Sequence, residues 1–310
     1  MILTVTLNAA IDKLYLVEQL TDYTVMRVKE CHNTAGGKGL NVSKVASLLG
    51  EKVIASGFVG GHTGRSIESM LEQQGVVSRF THTASETRCC VNVRDLSTGK
   101  HTEFLEPGAP VTEQEADAFF AEFCRLLPQA EIVCISGSVP KGISTDFYGK
   151  LIREAKAQNK RVVLDTSGEL LIQGVKALPD LVKPNTDEIA QLLGRQVSSE
   201  EELLAAAKEL KQSGISTVVI SLGKEGALVV CDEGIYRGYP PKIEAVNTVG
   251  CGDSMVAGFA VGMSRGLSME ESFRIALAVS AANAMNMETG NFEPTTYERL
   301  LPQARVEKMN

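Results

Sequence analysis

The sequence predicts an α/β fold: a doubly wound, mostly parallel sheet with helices on both faces and a small β-sheet beside it. Three observations carry this. Apolar β-branched runs alternate with amphipathic segments over most of the 310 residues. The runs are continuously apolar, as strands buried on both faces must be. Two polar, strand-like stretches interrupt the alternation, which otherwise reads as repeated strand–helix units.

The expected strands of the main sheet are Leu3–Leu7, Val53–Phe58, Ile132–Ser136, Val162–Asp165 and Val218–Ser221. Helices fall between them. Thr112-Glu113-Gln114-Glu115 is a capping box opening a helix that runs to about Leu127, and Ser198 or Ser199 with Glu201 or Glu202 offers the same device before Leu203–Gln212. The interruptions lie at 12–34 and 87–106. The first is polar with alternating β-branched residues. The second reads as two strands, Arg88–Arg94 and His101–Leu105, joined by the turn-like Asp95-Leu96-Ser97-Thr98-Gly99. The expected organisation is a main α/β domain over residues 1–11, 35–86 and 107–310, with 12–34 and 87–106 forming a β-sheet lid.

Composition narrows the function. Aromatic residues are 5% and Trp is absent, so the core must be aliphatic. A net charge of −7 argues against a nucleic-acid partner, which needs a basic face. The seven Cys form no C-x-x-C, and an odd count without disulfide or zinc spacing reads as reduced thiols in a cytoplasmic protein. Met1–Leu7 lacks the basic region of a signal peptide, and no apolar run is long enough for a bilayer. The four His show no metal-binding spacing, so no metal held by His is expected. Gly258, Gly262 and Gly266 share a helix face and predict tight helix packing.

Four motifs carry chemistry. In Asn247-Thr248-Val249-Gly250-Cys251-Gly252-Asp253-Ser254, small residues precede an acid at the start of a helical run, Met255–Arg265. Free N–H groups at a helix start form an anion site, and an acid there can take a proton from a substrate hydroxyl, which suits phosphoryl transfer. The competing reading is a glycine turn with an aspartate cap. The second motif, Ala35-Gly36-Gly37-Lys38-Gly39-Leu40-Asn41, leads into the helical Val42–Leu49 and resembles a phosphate loop without the P-loop spacing. It could equally be a glycine-rich connection. Lys183-Pro184-Asn185-Thr186-Asp187-Glu188 offers oxygen donors for a hydrated Mg²⁺, though Asn185 and Glu188 also fit a capping box. Ser221-Leu222-Gly223-Lys224-Glu225-Gly226 ends a strand where a nucleotide could lie; by itself it is a hairpin turn.

In this order, and over essentially the whole chain from Thr4 to Asn283, the motifs resemble those of the ribokinase-type carbohydrate kinases, the phosphofructokinase B family. The likeness is nearest to the 1-phosphofructokinase and tagatose-6-phosphate kinase branches. The resemblance implies a ribokinase-like fold with ATP and Mg²⁺ as cofactors. It makes Asp253 the catalytic base, with Gly250, Cys251 and Gly252 as the anion hole. Asp12, Gly37 and Asn41 would hold sugar hydroxyls, and Lys38, Arg27 and Arg88 the phosphate already on the sugar. Ser136 and Ser138 would line the substrate cleft. Lys183, Asn185, Ser221, Gly223, Gly226 and Asn283 would contact ATP, and Asn185 with Glu188 would form the magnesium motif, largely through water. The lid would also mediate a homodimer.

The expected reaction is phosphorylation of D-fructose 1-phosphate to fructose 1,6-bisphosphate. The alternative acceptor is tagatose 6-phosphate. Lys38 and Arg88 argue against a neutral sugar or nucleoside, and Asp253 argues against a regulator without catalysis. Two departures from the family pattern stand out. Ala9 replaces a usual Pro, and Cys251 replaces the commoner Ala. A thiol at a helix N-terminus can have a lowered pKa, which would make Cys251 reactive; otherwise it is a tolerated small residue.

Overall fold

The computed structural model describes residues 1–309. The elements run β1 (Ile2–Thr6), β2 (Ala10–Val17), β3 (Glu30–Gly36), α1 (Lys38–Leu48), β4 (Val53–Gly60), α2 (Gly61–Gln73), β5 (Val77–Thr83), β6 (Arg88–Asp95) and β7 (His101–Leu105). There follow α3 (Glu113–Leu126), β8 (Ile132–Ser136), α4 (Phe147–Ala157), β9 (Arg161–Asp165), α5 (Gly168–Val175), β10 (Leu181–Val182), α6 (Thr186–Leu193), α7 (Glu200–Gln212) and β11 (Thr217–Ser221). The chain closes with β12 (Ala227–Cys231), β13 (Gly234–Tyr239), α8 (Cys251–Ser264), α9 (Met269–Ala284), α10 (Pro294–Leu300) and β14 (Arg305–Met309).

Ten strands form the main sheet, in the order β14-β13-β12-β11-β10-β9-β8-β1-β4-β5. From β5 to β11 every pairing is parallel; from β11 to β14 every pairing is antiparallel. The continuous apolar runs are explained by two cores. Ile2, Ala55, Cys134 and Val163 pack on one face, whereas Leu3, Ile54, Val133 and Leu164 pack on the other. Successive residues of a strand point to opposite faces, so burial of both faces leaves no polar alternation.

A second sheet of four strands has the order β3-β2-β6-β7. It is mixed: β2 and β6 are parallel over Ala10–Val17 and Arg88–Asp95, while β3 and β7 pair antiparallel at the two edges. Asp12, Thr34, Cys90 and Leu105 lie in one cross-strand row. Leu14, His32, Asn92 and Glu103 form the next row on that face.

The capping boxes at Thr112–Glu115 and Ser199–Glu202 are both formed. Two helices begin earlier than the sequence reading placed them. The helix expected from Val42 starts at Lys38, and the one expected from Met255 starts at Cys251. Lys38, Asn41 and Asp253 are therefore first-turn residues. Each helix follows a glycine of positive φ, Gly37 at 109° and Gly250 at 78°, where a side chain would be strained. Gly258 and Gly262 do allow close packing of α8, since a Cβ on either would overlap α9. Gly266 does not share that role: nothing lies within 4 Å of its Cβ direction, and its φ of 65° follows the end of the helix.

Candidate active site

Three parallel strands end in polar residues at one edge of the main sheet: β1 in Thr6, β8 in Ser136 and β9 in Asp165. Ligands of open α/β sheets bind outside the carboxyl ends of the strands. There the first turns of α1 and α8 meet below the small sheet, around a cavity of about 520 Å³. Asp12, Gly37, Lys38, Asn41, Arg88, Ser136, Ser138, Gly250, Gly252 and Asp253 all line it. The two glycine-rich turns are in direct contact, because Asn41 Nδ2 donates to Asp253 Oδ2 at 2.8 Å.

The cavity walls are built for polar ligands. Thr6 Oγ1, Asn41 Oδ1 and Ser136 Oγ are buried and have no hydrogen-bond partner among the described residues. Buried polar atoms ordinarily have partners, so these three leave the wall behind the cavity short of hydrogen bonds. Neither Gly37 nor Gly250 caps its helix with a side chain, which keeps the first-turn N–H groups of α1 and α8 available to an anion.

The electrostatics follow from burial and pairing. Burial, reinforced by the charge of Asp165, pushes the Asp253 carboxyl above its ordinary value, against the pull of Lys38, the Asn41 amide and Lys183. A raised carboxyl is a stronger base once ionised. Burial likewise pushes Asp12 from 3.8 up to about 6, opposed by Lys44 and Arg88. Asp165 is nearly fully buried, and burial alone would raise it. Lys183 and Lys38 overcome that and hold its carboxyl below the usual range. Lys183 Nζ lies 3.1 Å from Asp165 Oδ1 and Lys38 Nζ 3.5 Å from Oδ2. The acid thus holds two cations beside the cavity, and its charge raises the pKa of Lys38.

The other expected residues are placed as follows. Arg88 reaches the cavity with part of its guanidinium committed: Nη2 donates to Asn8 O at 2.9 Å and Nη1 to Glu106 O at 2.7 Å. Arg27 sits on the exposed segment between β2 and β3 and does not line the cavity. Asn185, Ser221 and Gly223 line a second, more open cavity of about 700 Å³. Lys183 lies between the two, its Nζ 3.4 Å from the Cβ direction of Gly252. Gly226 lines neither cavity; the close approach of Gly238 O and its φ of 94° call for a glycine there. Asn283 is buried as a brace. It donates to Val249 O at 3.0 Å and accepts from Gly290 N at 2.8 Å, holding the Val249–Gly252 turn from behind.

Asn185 and Glu188 form the capping box that the sequence allowed: Asn185 Oδ1 accepts from Glu188 N at 2.8 Å and Glu188 Oε2 from Asn185 N at 2.9 Å. Cap and metal motif are compatible, because Glu188 Oε1 remains as an oxygen donor. No group of three or more His, Cys, Asp or Glu among the described residues could hold a metal directly. Asn185 and Glu188 offer only oxygen donors, and few of them, a set that fits a hard ion keeping most of its waters.

The sequence leaves two readings of Cys251 open, a reactive thiol or a tolerated small residue, and burial favours the second. The Cys251 thiol does not have a lowered pKa. Burial raises it, outweighing the weak hydrogen bond from Asn283 Nδ2 at 3.5 Å. The helix N-terminus therefore does not produce a thiolate here.

Asp165 was missed as a site residue. Its signal was visible, since it is an acid closing an apolar strand and so belongs at the carboxyl edge of the sheet. Asn8 and Lys44 were missed as well. Asn8 Nδ2 donates to Ser138 Oγ at 3.1 Å, a contact that no local pattern announces.

The model of the pfkB family carbohydrate kinases matches residues 3–296. The chain is 40% identical to the tagatose-6-phosphate kinase of Staphylococcus epidermidis over 99% of both chains. It is 37% identical to the 1-phosphofructokinase of Bacillus subtilis over the full length of both. Among solved structures, phosphofructokinase-2 from Escherichia coli superposes with a TM-score of 0.91 at 30% identity, covering 97% of this chain and 98% of that one.

Proposed function

The chain belongs to the pfkB family of carbohydrate kinases, and on that premise we propose that it transfers the γ-phosphoryl group of ATP to a ketohexose monophosphate. The acceptor is D-fructose 1-phosphate and the products are fructose 1,6-bisphosphate and ADP. The observation that carries this reading is the 2.8 Å contact of Asn41 with Asp253, which joins the two glycine-rich helix starts in one cavity.

In this mechanism, Asp253 takes the proton of the sugar 6-hydroxyl as that oxygen forms its bond to the γ-phosphorus and the bond to the bridging oxygen of ADP breaks. The N–H groups of Gly250, Cys251 and Gly252 stabilise the charge on the transferring group. Asp12, Asn41 and the Gly37 turn orient the sugar hydroxyls. Lys38 and Arg88 hold the phosphate already present, which explains how an acidic protein binds a dianion. Mg²⁺ bound near Asn185 and Glu188 would offset the charge of the ATP phosphates. The four-stranded sheet acts as a lid that keeps water from the phosphoryl group. The adenosine end of ATP takes the second cavity, by Ser221 and Gly223.

A homodimer through this sheet is supported by exposed apolar side chains, Phe104 on β7 and Tyr23 and Val25 on the connection between β2 and β3. All seven cysteines are free thiols, which supports action in the cytoplasm. No helix among the described residues is long and apolar enough to cross a membrane.

A second acceptor, tagatose 6-phosphate, is favoured by the higher identity to the staphylococcal enzyme, 40% against 37%. ADP release measured with fructose 1-phosphate, tagatose 6-phosphate, fructose 6-phosphate and fructose separates the readings. Fructose 1-phosphate is expected to give the highest kcat/KM and fructose the lowest. Equal turnover of fructose would remove the role given to Lys38 and Arg88, and absence of ADP release with all four would sink the kinase reading.

A further inference from the structure

Lys44 is the one lysine of α1 that points away from solvent, at 2% exposure, and the transfer mechanism above does not use it. Its ammonium donates to two backbone carbonyls from distant parts of the chain. Ala35 O lies 2.8 Å away, on β3 just before the Gly36–Gly37 pair. Thr289 O, also at 2.8 Å, belongs to the loop that follows α9.

That loop supports the phosphoryl-side turn. Asn247 Nδ2 donates to Met287 O at 2.9 Å, and the Cβ direction of Gly250 meets Thr289 Cγ2 at 2.5 Å. At Gly290, where φ is 68°, a Cβ would lie 2.8 Å from Lys44 Cε and 2.9 Å from Asn41 Oδ1. A side chain there would push Lys44 and the substrate-side amide apart.

We propose that Lys44 is a positioning residue for phosphoryl transfer, its buried ammonium pinning the strand that enters the sugar-side glycine turn to the loop that supports the phosphoryl-side turn. Lys44 lies three residues after Asn41 and so shares its helix face. The pin therefore fixes the distance across which Asn41 meets Asp253. A neutral chain of the same length would fill the volume without the desolvation cost of a cation. What only the ammonium supplies is charge-assisted bonding to two carbonyls at once. The charges facing it are Asp12 on β2, Glu288 on the loop and Asp253 on α8. Burial lowers the lysine to about 8, with those three acids opposing.

The test uses the full chain with Lys44→Met and Lys44→Arg, each checked by thermal melting. For Lys44→Met the expected result is a loss of about 10²-fold in kcat, as for a small misplacement of reacting groups. The acid limb of the pH profile should move to higher pH, because a cation favouring the ionised carboxylates is gone. The alkaline limb belonging to Lys44 should vanish. Amide exchange should speed up at residues 35–41 and 286–291 and not elsewhere, and Lys44→Arg should restore part of each effect. A folded Lys44→Met protein with wild-type kcat, pH profile and exchange would overturn the proposal.

If Lys44→Met does not fold, Glu288→Gln decides. Removing that negative charge lowers the titration of the ammonium, so the alkaline limb must move to lower pH; a fixed limb overturns the assignment. The proposal rests on the kinase reading of the cavity. A wild-type protein inactive on every acceptor would sink that reading, while exchange at 35–41 and 286–291 would still report whether the pin exists.

Discussion

Asn41 Nδ2 and Asp253 Oδ2 are hydrogen-bonded at 2.8 Å although the residues stand 212 positions apart. This bond joins the two helix starts beside the cavity and fixes the orientation of the proposed base. Asp253→Ala is expected to lower kcat by roughly 10²–10⁴-fold, the usual contribution of a positioned base. Burial and Asp165 raise the Asp253 carboxyl, so kcat/KM should fall at a pH above the ordinary carboxylate range as the medium is acidified. Near-normal turnover of a pure Asp253→Ala preparation would refute the role.

Asp12 carries a stability cost that its function requires. Its carboxyl titrates at about 6 in the fold against 3.8 ordinarily. Between those values the folded state holds more protons than the unfolded one, so stability declines as pH rises through this window and stays lower above it. Asp12→Asn should therefore stabilise the free protein at neutral pH by at most about 3 kcal/mol, with little gain near about pH 4. Urea melts at the two pH values measure this. The same substitution should weaken sugar binding, and a gain that is equal at both pH values would show that ionisation is not its cause.

Arg88 has two tasks. It ties the small sheet to Asn8 O and Glu106 O, and it presents its remaining N–H groups to the cavity. Arg88→Ala is expected to raise KM for the sugar phosphate by about 10- to 100-fold, the worth of charged hydrogen bonds, with a smaller change in kcat. Arg88→Lys should rescue little of it, since a single ammonium nitrogen lacks the flat fork whose separate nitrogens reach Asn8 O and Glu106 O and still leave donors for a phosphate. An unchanged KM would count against the phosphate contact.

Asp165 holds Lys183 and Lys38 through one buried carboxylate. Removing its charge leaves Lys183 at 5% exposure without its counter-ion. Asp165→Asn should cost about 3–5 kcal/mol, as for a broken buried pair. Added sulfate should raise the melting temperature of the variant more than that of the wild type, because the freed cations gain an anion. Equal stability of the two proteins would show that the ion cluster contributes nothing to the fold.

What the sequence disclosed follows the range of the interactions involved. Ile132–Ser136 and His101–Leu105 were legible to the residue, because strand limits there coincide with the change from apolar to polar or turn residues. The capping boxes at Thr112 and Ser199 were legible because cap and partner lie three residues apart. The early starts of α1 and α8 were obscured by glycines, which read as loop although their positive φ serves a helix cap. The parallel pairing of β2 with β6 joins segments 78 residues apart in the register of Ala10 with Arg88 and has no local signal. The same holds for the Lys44 contact to Thr289, whose partners lie 245 positions apart.

Cys251 shows how burial decides chemistry that position alone suggests. It is the first residue of α8, where the helix dipole favours a thiolate. Removal from water opposes the charge more strongly, and the thiol titrates above its ordinary value. At neutral pH it is therefore a neutral, poorly nucleophilic group. The hydrogen bond it accepts from Asn283 at 3.5 Å is weak, and Asn283 keeps its bonds to Val249 O and Gly290 N without it. Cys251→Ala should thus leave kcat within about 3-fold of wild type, a change of under 1 kcal/mol. In iodoacetamide labelling followed by peptide mass mapping, exposed Cys31 should react well before Cys251. Faster labelling of Cys251, blocked by ATP and accompanied by loss of activity, would show instead that the helix start prevails over burial.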